Sequence, residues 1–170
     1  MTTQDLNNTH TISVLVDNEA GVLARVIGLF SGRGYNIDSL TVAEVDDDDH
    51  TSRITIVTNG TPMVIEQIKA QLGRLVPVHH VMDLTVETDS VERELALIKV
   101  AGHGEARVEA LRMSEAFRAR VVDATPDSFV FELTGRTEKI DAFIGLMRPL
   151  GLKEVSRTGV AAIARGAEAM

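Results

Sequence analysis

Apolar and polar positions change their period several times along the chain, and each change marks an element. ISVLV at 12–16 is short, β-branched and continuous, the pattern of a strand covered on both faces. After Gly21 the apolar positions Val22, Leu23, Val26, Ile27, Leu29 and Phe30 fall at helical spacing, with Gly32 and Gly34 as stop signals. NIDSLTVAEV alternates loosely through Ile37, Leu40, Val42 and Val45, and RITIV alternates after the acidic turn DDDDH. Ile65, Ile68, Leu72 and Leu75 describe a second amphipathic helix, with Thr61 at its N-cap and Pro62 at its first position. VHHVMDLTV supplies a last strand, so the order is βαββαβ.

The second half repeats that order. ELALIKVAG is a strand, Val108, Leu111, Ala116 and Phe117 mark a helix, and ARVVDAT and FVFELTG are strands about a Pro126-Asp127 turn. A helix through Ile140, Phe143, Ile144, Met147 and Leu150 follows, and LKEVSR closes the set. Around the second helix of each half one constant offset aligns Gly60 with Gly135, Ile65 with Ile140, Ile68 with Phe143, Leu72 with Met147 and Leu75 with Leu150. A shared apolar register of this kind points to a tandem repeat. The expected fold is α+β, two tandem ferredoxin-like βαββαβ sandwiches. Residues 1–9 are expected to be a flexible N-terminus, 10–86 the first domain, 87–93 a polar linker and 94–170 the second domain with its tail.

Composition narrows the functions. The formal charge is −8, from 25 acidic and 17 basic residues, the wrong sign for nucleic acid or an anionic membrane surface. Aromatic residues are 4% of the chain, and ISVLV and RITIV contain none, so the base-stacking platform of an RNA-binding sandwich is missing. There is no cysteine, hence no disulfide framework and no thiolate metal site. MTTQDLNNTH lacks the apolar core of a signal peptide, and no run reaches the roughly 18 apolar residues of a membrane span. A cytoplasmic location is expected.

The joint DNEAG at 17–21 holds the candidate chemistry. The first N–H groups of a helix lack intrahelical acceptors, and the helix dipole favours a negative charge there. A carboxylate would fit the amides of Gly21, Val22 and Leu23, while Asp17 and the Asn18 amide oxygen would suit an ammonium group; together they suit a free amino acid. Gly21, without a Cβ, would let such a ligand approach the backbone. Local chemistry alone favours an ordinary cap made by Asp17 or Asn18 over such a pocket. Other features offer less. Asp46–Asp49 with His50 lacks the glycine and distal glutamate of an EF-hand loop and suits a solvated turn. His79 and His80 are adjacent and would point to opposite faces of a strand. No G-x-S-x-G elbow or catalytic carboxylate pair is present, so no catalysis is expected of this chain.

DNEAGVLARVIGLFSGRGYNIDSLTV carries a longer pattern: Asp17, Asn18, Gly21, Leu23, Arg25 and Val26, then Gly28, Leu29, Phe30, Arg33, Gly34, Tyr35, Asn36 and Ile37. It resembles the opening of an ACT domain, and closely that of the small regulatory subunits of acetolactate synthase (acetohydroxyacid synthase). RITIVTNG, EQIKAQLGRLVPV, FRARVVDAT and SRTGVAAIARG extend the resemblance over nearly the whole chain; the polar N-terminus and DDDDH depart from it. The resemblance implies a non-catalytic subunit that activates a thiamine-diphosphate-dependent catalytic subunit and makes it sensitive to an end product, usually valine. Thiamine diphosphate, magnesium and FAD are then expected on the catalytic subunit and no cofactor on this chain. It further implies at least a homodimer through the ACT domains. The effector's neighbours would be Asn18, Ala20, Gly21, Val22 and Leu23, with Asn36 and Ile37 supplied by the partner domain. A tandem-ACT, amino-acid-responsive transcriptional regulator of the glycine cleavage repressor type is the alternative within the fold.

Overall fold

A computed structural model describes residues 8–170; the first seven residues of the expected flexible N-terminus lie outside the described residues. The chain divides into two compact units, 1–91 with 160–170, and 92–159.

The first unit contains β1 (Asn8–Asp17), α1 (Val22–Gly32), β2 (Ser39–Asp46), β3 (Thr51–Gly60), α2 (Pro62–Gly73) and β4 (Val78–Asp83). Its sheet is antiparallel in the order β2-β3-β1-β4. The expected βαββαβ pattern is therefore present, with β1 already started at Asn8. Ile12, Val14 and Val16 on β1 and Ile54 and Ile56 on β3 point to one face, where they pack with Val22, Val26 and Phe30 of α1 and Ile65, Ile68 and Leu72 of α2. The period-2 strands and the 3.6-period helices thus share one apolar layer. Thr61 caps α2 as expected, its hydroxyl accepting from the Val64 N–H, with Pro62 at the first position.

The second unit repeats the plan. It contains most of β5 (Ser90–Ala101), then α3 (Gly104–Ala116), β6 (Arg120–Ala124), β7 (Ser128–Gly135), α4 (Thr137–Met147), a single 3₁₀ turn at 148–150 and β8 (Leu152–Arg157). The strand order β6-β7-β5-β8 matches the first sheet. Its core is more aromatic: Phe143 lies 5.4 Å from Phe117 and 5.8 Å from Phe131, ring centre to ring centre. The aligned glycines have a packing reason. A Cβ on Gly60 would come within 3.1 Å of Val64, and one on Gly135 within 2.7 Å of Lys139, the residue four positions on in each case.

One expectation on domain organisation is corrected and another gains detail. The 87–93 segment is not a linker throughout, because β5 begins at Ser90. The tail forms β9 (Ala161–Ala164), which pairs with β5, and residues 160–170 are grouped with the first unit. The reason is apolar burial. Val160 and Ala162 are buried in a cluster with Val57 and Leu84, with Met82 and Ala164 packed against it.

Candidate effector site at the start of α1

Gly21 is the N-cap of α1 and sits at φ +86°, the left-handed region where a side chain is strained. A Cβ built there would meet nothing within 4 Å, so the backbone is open to an approaching group. Neither Asp17 nor Asn18 caps the helix, and the first turn carries no acidic residue. Only the Val22 amide finds an acceptor close by, Glu19 O at a long 3.4 Å; those of Leu23 and Ala24 have none among the described residues. The ordinary-cap reading of this loop is therefore excluded, and the helix begins with free donors.

The contrast with the other α-helices is direct. α2 has the Thr61 cap, while α3 and α4 carry Glu105 and Glu138 in their first turns. Of the four α-helices among the described residues, α1 alone has neither a side-chain cap nor its own carboxylate.

The remaining candidate residues fall into two groups. Asn18 and Ala20 are exposed, Leu23 is 37% exposed, and the Val22 side chain is buried in the core. Val22 can therefore offer a ligand only its backbone. Asn18 N–H donates to His50 O at 2.7 Å, which ties the loop to the turn between β2 and β3. Asp17 differs from the expectation of a free ammonium acceptor: its Oδ1 lies 2.5 Å from His79 Nε2, a pairing across 62 residues with no local signal in the sequence.

Asn36 and Ile37 sit at the other end of the sheet. Register sets this: Asp17 pairs with Thr51, and Thr51 with Asp46 at the end of β2, whereas Ser39 at its start pairs with Val57. The two groups are thus separated by the length of β2, and one copy of this unit does not bring them together. Asn36 O accepts from the Thr58 hydroxyl at 2.5 Å, its side-chain amide donates to Asp38, and Ile37 is half-buried against the core.

Close behind Asn36 lies a buried polar couple that the sequence did not signal. His10, directly opposite Thr58 in register, is 5% exposed, and its Nδ1 lies 2.7 Å from the Oδ2 of fully buried Asp83. The other Asp83 oxygen accepts from the Thr85 N–H at 2.9 Å. Beside it, burial works against the charges of Lys69 and Glu87. Their mutual hydrogen bond, helped at Lys69 by Glu66 and at Glu87 by the Asp83 N–H, nonetheless holds Lys69 above its usual value and Glu87 below its own. In the DDDDH turn, Asp46 Oδ1 accepts from the amides of Asp48 (3.0 Å) and Asp49 (3.3 Å), so one carboxylate organises its own turn. Among the described residues no helix is long and apolar enough to cross a membrane.

The sandwich has the topology of an ACT domain, and residues 12–80 match the model of the AHAS small subunit-like ACT domain. Residues 93–166 match a second model, described as the small subunit of acetolactate synthase. The probable acetolactate synthase small subunit of Archaeoglobus fulgidus is 51% identical over 157 residues, 92% of this chain and 97% of that protein. The acetolactate synthase isozyme 3 small subunit of Escherichia coli is 46% identical over 160 residues, 94% of this chain and 97% of that one. The crystal structure of the acetolactate synthase small subunit from Thermotoga maritima superposes with a TM-score of 0.84 at 37% identity, covering 95% of this chain and 99% of that one. The chain belongs to the acetolactate synthase small-subunit family.

Proposed function

We propose that this chain is the non-catalytic regulatory subunit of an acetolactate synthase, which activates the catalytic subunit and confers feedback inhibition by valine. The observation that carries the reading is the uncapped, carboxylate-free start of α1 beside the open face of Gly21. The effector's carboxylate sits on the amides of Leu23 and Ala24, where oriented donors and the helix dipole favour an anion. Asn18 and the paired Asp17 offer oxygens to its ammonium group. Its side chain lies against Leu23 and the partner's Ile37.

The second half of the site comes from a second copy. β2 is an edge strand, with Val42 and Val45 exposed on it, so it has an unpaired backbone edge available. Antiparallel pairing of β2 with its counterpart would bring residues 36–37 of one copy towards residues 18–23 of the other. Register supports this geometry, because the two groups lie at opposite ends of the same strand.

Regulation then follows from linkage. An effector shifts activity only by the difference in its affinity for two pairing geometries. Burying a valine side chain contributes about 1.5–3 kcal/mol, enough for tens-fold coupling if it is realised in one geometry only. Gly21→Asp tests the reading, because it adds bulk and a negative charge at the carboxylate's seat. With the catalytic subunit present, the variant is expected to lose valine inhibition while still activating. Inhibition that survives unchanged contradicts the assignment.

A further inference from the structure

The tail residue Val160 grips β2 at its start. Val160 N–H donates to Ser39 Oγ at 2.8 Å, and Val160 O accepts from Thr41 Oγ1 at 3.0 Å. Ser39 and Thr41 alternate with Leu40, which packs against the helix-side core, so both hydroxyls lie on the face of the sheet away from the helices. Three further contacts fix the tail there. Val160 is 4% and Ala162 8% exposed over Val57 and Leu84, and Arg165 N–H donates to Asp89 O at 2.8 Å.

The same few residues fix the segment that leads into β2. Val57, buried beneath the tail, uses its carbonyl to accept the Asp38 N–H at 2.8 Å, and the neighbouring Thr58 hydroxyl holds Asn36 O. Asn36 and Ile37 are therefore tethered to β3 on one side and run directly into a strand start tethered by Val160 on the other. A strand at the edge of a sheet has backbone partners on one side only, so extra restraints at its end decide how far that end frays.

We propose that Val160, through Ser39 and Thr41, is a positioning element of the effector site: the C-terminal segment 160–164 holds the start of β2 so that Asn36 and Ile37 present the geometry the amino acid binds. This rests on the proposed function for the effector itself. It makes the end of the chain a part of the effector unit, completed only after the second unit has been traversed.

A chain cut after Gly159 would expose Val57 and Leu84 and confuse folding with positioning, so the test uses near-isosteric changes in the full-length protein. The Ser39→Ala, Thr41→Val double variant removes both hydroxyl bonds and keeps the packing, and a Ser39, Thr41→Ser variant keeps both hydroxyls. Deuterium uptake over residues 36–46 and valine affinity by titration calorimetry are measured on the parent and both variants. The double variant is expected to exchange at least about fivefold faster over 36–46 and to bind valine about five- to twentyfold more weakly, each lost bond accounting for roughly fivefold. The hydroxyl-keeping variant is expected to match the parent. Unchanged uptake overturns the proposal, and so does faster uptake with unchanged valine affinity. A parent that binds no valine removes the effector reading instead, and uptake alone then decides whether the tail holds β2.

Discussion

Helices α1 and α3 occupy the same place in two units of one topology, yet they begin in opposite ways. α3 opens with Glu105 in its first turn, so its own carboxylate sits where the dipole is positive. α1 opens on Gly21 with no side-chain cap and no acid. Below these starts the units also differ, one core aliphatic around Ile12, Ile54 and Ile56, the other built on Phe117, Phe131 and Phe143. Shared topology has left one unit with a carboxylate in its first helical turn and the other with none. The open start is where a carboxylate-bearing ligand has something to gain.

The comparison can be broken most severely in the second core. Phe143→Ala removes a ring that meets both Phe117 and Phe131. It is expected to cost about 3–5 kcal/mol, read as a lower denaturant midpoint for the second unit. The next effect is electrostatic. Glu94 is 5% exposed and accepts from Arg157 Nε at 2.6 Å and from a terminal nitrogen at 2.9 Å; this bidentate pair, helped by Asp141, holds the guanidinium above its already high usual value. Arg157→Ala strands the Glu94 carboxylate and is expected to cost about 2–3 kcal/mol in chemical denaturation. In the first unit Asp83→Ala leaves His10 buried without its partner, a loss of about 2 kcal/mol by the same measurement, with Asp83→Asn milder.

The smallest effect is a pH dependence. Glu87 titrates below its usual value in the folded chain, so its contribution is complete above the ordinary glutamate pKa and is lost as pH falls through the lowered one. Lys69 is raised, so its contribution is lost only as pH rises through its folded value. The pair lies at the surface, where solvent screens it, so Glu87→Gln is expected to remove about 0.5 kcal/mol or less at neutral pH and to flatten the acid limb of the stability profile.

Much of the fold was legible because its signals are local. A continuous β-branched run marked β1, alternation marked β3, and helical spacing with the Thr61-Pro62 start marked α2. The aligned glycines marked equivalent strand ends. The candidate loop was legible as an open joint, but its chemistry was not fully so: Asp17 meets His79 and His10 meets Asp83 across 62 and 73 residues, through strand pairings that no local pattern encodes. The strand β9 in the tail was missed for a related reason. AAIA is too short and too weakly alternating to announce a strand, and its partners, Val57 and Leu84, lie far back in the chain.

The central claim is that an amino acid is held at the start of α1 and not at the start of α3. Deuterium uptake mapped along the full chain, with and without saturating valine, tests it most directly. Slower exchange at residues 18–24 together with 36–37, and none at residues 102–106, is the result this account predicts. Slower exchange confined to 102–106, or none anywhere with the catalytic subunit also present, would contradict it.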